Sequence, residues 1–228
     1  MSTPNRPTDR TALAMLLSVL GGMMDGYSYA VRGGVFATAQ TGNLILFGFG
    51  LARGDLARAV RSFVPILSFW CGIFAAQHLL HRFLRKDSQQ RQNRHWKSII
   101  LLVEGGVLLV IGLIPASVLD NIPNALISFL AAMQFCCFRE FGDSSAYASV
   151  FVTGNMRSCA EMYYRGVVQK DHAALRKALQ YTGIILSFLC GAILSLLLSQ
   201  PVGEKTIWPA AAIALGCGIY LAHRPKKP

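Results

Sequence analysis

The sequence predicts an all-α integral membrane protein of about six transmembrane helices, arranged as two inverted three-span repeats that each carry an extra Thr-Gly-Asn segment. Three observations lead there: long uncharged apolar blocks, an internal repeat of short motifs, and a lopsided placement of lysine and arginine along the chain.

Of 228 residues, 53% are hydrophobic and 14% charged, with a mean hydropathy of +0.43, whereas a soluble domain runs to about a quarter charged. Apolar runs cover 13–31, 63–80, 99–115, 122–138, 181–199 and 207–222, and between them they hold two formal charges, Asp25 and Glu104. Each approaches the run of about 20 residues that a helix needs to span hydrocarbon at about 1.5 Å per residue. One such run suits the core of a soluble protein; six in one chain do not. The first follows Arg6 and Arg10 with no A-x-A-like cleavage site after it, which predicts an uncleaved first span. The connecting stretches are short, so residues 1–228 are expected to form a single transmembrane domain.

The net charge of +11 comes from loops between the runs, where it serves as a topology signal, and this argues against a nucleic-acid partner. The cysteines Cys71, Cys136, Cys137, Cys159, Cys190 and Cys217 lack C-x-x-C spacing and fall mostly inside apolar runs, as small buried hydrophobes do. His78 and His81 are three apart but have no carboxylate near them in sequence, so no metal site and no cofactor are expected. G-x-S-x-G, P-loop, H-E-x-x-H and G-x-G-x-x-G patterns are missing, and the chain is not expected to be an enzyme.

The repeat is carried by Thr41-Gly42-Asn43, which returns as Thr153-Gly154-Asn155 at an offset of 112 (153 − 41). Arg53-Gly54 returns as Arg165-Gly166 at the same offset, and Leu67-Ser68-Phe69-Trp70-Cys71-Gly72 returns as Leu186-Ser187-Phe188-Leu189-Cys190-Gly191 at 119 (186 − 67). The first copy is placed at 12–118 and the second at 122–222.

Whether the Thr-Gly-Asn segments cross decides the symmetry. If they do not, each half crosses three times and the halves are inverted; if they do, eight helices form two parallel four-span repeats. With six crossings and cytoplasmic termini, all of the 22 Lys and Arg except Arg32, Arg53, Arg58, Arg61 and Lys205 lie inside. With eight, Arg82, Arg85, Lys86, Arg91, Arg94 and Lys97 move outside with Arg32, Arg139 and Lys205. Positive charge collects on the cytoplasmic side, so six crossings are expected, with the segments 36–51 and 148–163 as re-entrant or broken helices. Gly33, Gly34, Gly42, Gly48 and Gly50 favour such a break, and Asp55 and Asp171 fit N-caps for lead-ins at 56–63 and 172–181.

An acid deep in a span is costly and marks either a functional site or an interhelical contact. Asp25 follows Gly21-Gly22, whose bare backbone admits a close helix or a solute. Glu104 precedes Gly105-Gly106 and could face the same cavity, and Gln134 falls near where symmetry would put Asp25. Thr41, Asn43, Thr153 and Asn155 offer hydroxyl and amide groups beside Gly42 and Gly154; they suit either a bound ion or solute at a helix break or the capping of that break.

The combination Gly21-Gly22-x-x-Asp25, then Phe36 leading to Thr41-Gly42-Asn43-Leu44 and Gly48, resembles the YoaK family of uncharacterised bacterial membrane proteins. The order of spans, the chain length and the basic central loop extend the resemblance over nearly the whole chain. It implies a multi-pass protein of the bacterial plasma membrane and no particular activity.

Inverted repeats with equivalent breaks and an intramembrane acid match the plan of small secondary transporters, which makes a permease for a small solute the expected function. A membrane scaffold or assembly factor, whose polar groups only hold helices together, is the alternative. The expected partners are membrane lipids and a small solute or ion.

Overall fold

The computed structural model describes residues 7–84, 95–115, 120–141, 145–146 and 152–223. Both chain ends, most of the basic central loop and the last residues of the first repeat therefore lie outside the described residues, as does the 148–151 part of the second re-entrant segment. Most of the described chain is helical: α1 (Pro7–Val31), α2 (Gln40–Ala52), α3 (Leu56–Leu84), α4 (His95–Ile111), α5 (Asn121–Cys137), α6 (Val152–Val168), α7 (His172–Val202) and α8 (Trp208–His223). A 3-10 turn, Gly203–Ile207, joins the last two. The all-α expectation holds apart from one antiparallel pair of two-residue strands, Glu140–Phe141 with Ser145–Ala146, which packs beside α1.

Local chemistry sets the ends. Gly33 and Gly34, at φ of 85° and 75°, stop α1 in a conformation that a side chain disfavours. Asp55 accepts from the Arg58 N–H at 2.9 Å at the start of α3. Asp171 accepts from the Ala173 and Ala174 N–H groups, each at 3.0 Å, at the start of α7. Both expected N-caps are therefore in place. The Ala174 N–H is the largest of the influences that hold the Asp171 carboxyl below its ordinary value of 3.8. At the far end of α7, Pro201 and then Gly203, at φ 54°, stop the helix.

Contacts along each helix pair give the directions. Met15 meets Gly183, Val19 and Met23 meet Gly191, and Met23 O accepts from Ser195 Oγ at 2.9 Å, so α1 and α7 run parallel. By the same logic α3 and α5 run parallel, from Arg61 and Asp120 around Gly33 to Gly72 against Phe129 and Ala132. Asn124 bonds Arg32 O and Gln134 bonds Leu17 O, so α5 opposes α1. Ser98 meets Gly218, Gly105 meets Leu215 and Gly112 meets Trp208, so α8 opposes α4. α2 and α6 fold back as hairpins. Gly50 meets Ala59 and Phe47 stacks on Phe63 at 5.0 Å, pairing α2 with α3; Gly166 meets Leu175, pairing α6 with α7.

α1 is the hub, packed most extensively on α7 and also on α8 and α5. Leu17, Leu20, Met23 and Tyr27 from α1 are fully buried with Leu101 and Leu108 from α4, Ile127 from α5, and Ala210 and Ala214 from α8. The small residues let backbones approach: a Cβ on Gly191 would meet the Val19 carbonyl oxygen, and one on Gly22 that of Phe188.

Gly191→Val should therefore destabilise the protein by about 1–3 kcal/mol, since it overpacks the α1–α7 seam. Gly48→Ala, where nothing lies within 4 Å, should leave stability unchanged or raise it by up to about 1 kcal/mol. Thermal unfolding in detergent compares the two. Asp171→Ala should lower Tm at neutral pH, and the difference should vanish in acid. Its carboxyl is held low in the folded state, so its stabilisation is present above 3.8 and lost as the pH falls through the folded value.

Candidate functional site

The chain leaves α1 at Gly33 and turns back, so that residues 36–39 lie beside the last turns of α1 and α2 begins there. Asp25 governs this turn. Its Oδ1 accepts from the Thr38 N–H at 2.7 Å and the Ala39 N–H at 3.4 Å, and its Oδ2 accepts from the Thr38 hydroxyl at 2.7 Å. One turn on, Ser28 donates to Asp25 O and accepts from the Ala37 N–H at 2.9 Å. Ala39, at the N-cap of α2, has no side-chain acceptor of its own; a carboxylate from another helix supplies one, where the amides of a helix start favour negative charge.

Asn43 completes the clamp. Its Oδ1 accepts from the Phe36 N–H at 2.9 Å, while its Nδ2 donates to Phe36 O and to Gln40 Oε1. Asp25 and Asn43 are both buried, and their polar atoms bind backbone and side chains of the same turn.

The Thr-Gly-Asn triplets differ from expectation in two ways. They lie inside the first turn of α2 and α6, and the break precedes the first of them, at Gly33 and Gly34. Gly42 instead makes room for the Phe36 ring, and Gly154 faces open space. Thr41 and Thr153 are exposed, whereas Asn43 and Asn155 are buried, so the threonines do not point into an inner crevice with Asp25. Successive residues of a helix are about 100° apart, so residues two apart, such as Thr41 and Asn43, lie on opposite faces. Gly21 and Gly22 are both buried in α1, with Gly22 at the α7 seam.

Glu104, halfway along α4, is fully buried, and among the described residues neither of its carboxylate oxygens has a hydrogen-bond partner. An ionised carboxylate left so would cost several kcal/mol. Cys137 on α5 and Cys217 on α8 lie within its electrostatic reach. One turn from Cys137, Gln134 donates to Leu17 O at 3.3 Å and leaves Oε1 unpartnered among the described residues, as are the hydroxyls of Ser18 and Ser128. Asp25 is not part of this group, so the two acids expected to share a cavity are separately disposed: Asp25 is saturated and Glu104 is not.

Arg32, counted in the sequence as a loop charge, is fully buried. It donates to Tyr27 Oη at 2.7 Å and to the carbonyls of Ile111, Ile114 and Pro115 at 3.2, 2.5 and 3.4 Å, and it lies 3.7 Å from Asp120. It ties the end of α1 to the end of α4 and the start of α5. The signal available in sequence was its position directly after an apolar run and before Gly33-Gly34, five residues beyond Tyr27.

Among the described residues, no three His, Cys, Asp or Glu side chains converge as metal ligands. An open groove of about 520 Å³ beside Glu161 and Arg165 lies on α6, away from Asp25 and Glu104.

The sequence model of one protein family, described as "Protein of unknown function (DUF1275)", matches residues 13–220. No curated protein and no solved structure matches the chain.

If Asp25 holds the turn, Asp25→Asn should lower stability by roughly 1–3 kcal/mol, because a buried donor loses its acceptor. Thr38→Val should cost about 1 kcal/mol, and the double variant less than the sum, since the two share a bond. Denaturation midpoints and amide exchange at residues 36–39 report it; unchanged exchange in Asp25→Asn would show that the acid does not hold the turn.

Proposed function

The chain belongs to the DUF1275 family of proteins of unknown function, and from that premise we propose that it is a six-crossing bacterial plasma-membrane protein that acts as a small secondary transporter or permease. Its distribution of polarity supports a membrane setting. Exposed side chains include Leu44, Phe49, Trp70, Phe74, Leu189 and Leu197, while Asp25, Arg32, Asn43, Glu104 and Gln134 are buried. A body in water sorts these the other way. Two helical stretches, Leu56–His81 and His172–His223, are long and apolar enough to cross a bilayer.

The observation that carries the transport reading is the pair of hairpin helices. α2 starts beside Asp25, in the last turns of α1, and returns to the end of the body that α1 has reached; α6 pairs with α7 at the opposite end. Counting α2 and α6 as re-entrant leaves three crossings per half, an odd number, so the second half is inverted. Gly72 rests on the Phe129 carbonyl as Gly191 rests on that of Val19, as expected if α3 with α5 repeats α7 with α1. Such paired re-entrant segments frame solute sites in secondary transporters. Backbone at that depth is tolerated where protein surrounds it, which Asp25 and Asn43 provide.

One observation favours the scaffold alternative. Asp25 and Asn43 have their polar atoms bound within the turn, as structural caps would. The bound solute is accordingly expected to meet the unpartnered groups around Gln134 and Ser18 rather than the Thr-Gly-Asn clamp.

Two measurements test the proposal. Single-cysteine labelling of intact cells should modify position 54 from outside and leave position 90 and both termini unmodified; external labelling at 90 would establish eight crossings. A thermal-shift screen over amino acids, sugars, organic acids and inorganic ions should identify a stabilising solute. Proteoliposomes should then move that solute in a protein-dependent way, and binding without flux would favour the scaffold.

A further inference from the structure

We propose that Glu104 is a reversible proton-binding site, loaded while α4 and α8 are packed together and discharged when they part, and that the ion coupled to solute movement is therefore a proton. The coupling half of this rests on the transport reading above; the proton site itself does not.

Burial and missing partners carry the argument. Glu104 is fully inaccessible, and no donor among the described residues satisfies either oxygen. Asp25 and Arg32, just as deep, are each met by several partners. An acid in Glu104's surroundings is tolerated with its proton on, and the proton leaves only if water or an opposing charge reaches it. The step is a plain ionisation: the O–H bond of the carboxylic acid breaks, the electron pair stays on the carboxylate, and the proton passes to water.

The neighbours point the same way. The face of α8 against α4 presents Ala211, Leu215 and Gly218, and its ionisable group near the acid is Cys217. From α5 comes Cys137, with Cys136 beside it. The 3-10 turn contributes Glu204 and Lys205 at the far end of α4, where Lys205 lies over Trp208. On α4 itself, Lys97 sits two turns away over the rings of Trp96 and Phe138. None of these is a cation paired with Glu104. A metal cation would need several converging oxygens, and the α8 side offers aliphatic groups and a thiol. A proton needs only the carboxylate.

The interface is suited to parting. It sets glycines against apolar side chains and is crossed by few polar bonds, among them Ser98 Oγ to Gly218 O at 2.7 Å and Trp208 Nε1 to Leu109 O at 3.2 Å. Leu215 lies over Gly105 and Trp208 over Gly112, so the two helices are held mainly by apolar contact.

The test uses the full chain in lipid nanodiscs, with Trp70→Phe and Trp96→Phe leaving Trp208 as the reporter at the α4–α8 interface. Infrared spectroscopy should show a protonated-carboxyl carbonyl band at neutral pH that fades reversibly as pH rises. Trp208 emission should shift to the red over the same range, with the ratio of open to closed protein changing by up to about tenfold per pH unit, as linkage to one proton requires. Glu104→Gln should remain monodisperse but lose both signals, Glu104→Asp should restore a titrating band, and the exposed Glu161→Gln should keep both. A band that is missing, that persists until the protein unfolds, or that survives in Glu104→Gln would overturn the site. Fading of the band on adding sodium at fixed pH, with choline as control, would assign the site to a metal cation instead. In proteoliposomes, solute flux should follow an imposed pH gradient in wild type and not in Glu104→Gln. Flux indifferent to the gradient would overturn the coupling, whereas a titrating Glu104 in a protein that moves no solute would overturn the transport reading alone.

Discussion

A backbone that turns inside a packed body must find partners for amides that no helix satisfies, and the Asp25 carboxylate meets that constraint for this chain. With the Thr38 and Ala39 N–H groups bound to it and Phe36 held by Asn43, residues 36–39 stay beside α1, and α2 starts from a fixed point. The rest follows by packing. α2 folds back on α3 at Gly50 and Ala59, and α3 lies along α5 through Gly72. Loss of the turn would leave several unpaired amides and release the helix that follows, so Asp25 has structural consequences well beyond its own contacts.

The buried polar groups divide by whether they are satisfied. Asp25, Asn43 and Arg32 each bind backbone groups that would otherwise be orphaned, and Arg32 does so where α1, α4 and α5 end together. These are joints. Glu104, Ser18, Ser128 and one oxygen of Gln134 serve no such purpose among the described residues. A polar atom that costs free energy to bury and stabilises nothing is retained for something other than the fold. The Trp96 indole N–H, Asn124 Oδ1 and the Thr206 hydroxyl share that state, and Glu104 differs from them as an acid with neither oxygen partnered among the described residues.

Much of the fold was legible in the sequence because it depends on period and punctuation. The apolar runs fall within the long helices, and Asp55 and Asp171 cap as their spacing implied. Asn43 and Asn155 lie buried at the same point of α2 and α6. Three features were not legible. The Thr-Gly-Asn triplet starts a helix instead of breaking one, since a glycine at a right-handed position looks the same in sequence as one at a positive φ; only Gly33 and Gly34 have that φ at the first turn. Arg32 passed for a loop charge, since its partners Ile111 and Ile114 are carbonyls about 80 residues away that any sequence could supply. The separation of a satisfied Asp25 from an unsatisfied Glu104 is a property of neighbours, and neighbours across helices have no local signature.

The same contacts argue that the two halves, if inverted copies, share a scaffold and not a chemistry. Gly191 on the Val19 carbonyl and Gly72 on that of Phe129 put α1 and α5 in a register of 110 (129 − 19). Asp25 then corresponds to Phe135, and Gln134 to Met24, one residue from the place symmetry had been expected to give it. Gly105 against Leu215 and Gly218 against Leu102 likewise pair α4 with α8 at 113 (218 − 105), which sets Glu104 opposite Cys217. The serines do correspond: Ser18 falls on Ser128, and both hydroxyls are buried and unpartnered among the described residues. Each half thus repeats the glycines and serines that let helices approach, and the two acids belong to the first half alone. A symmetric frame that rocks would carry a single ionisable centre between two similar surroundings, and among the described residues Glu104 is the acid between α4 and α8 with neither oxygen partnered.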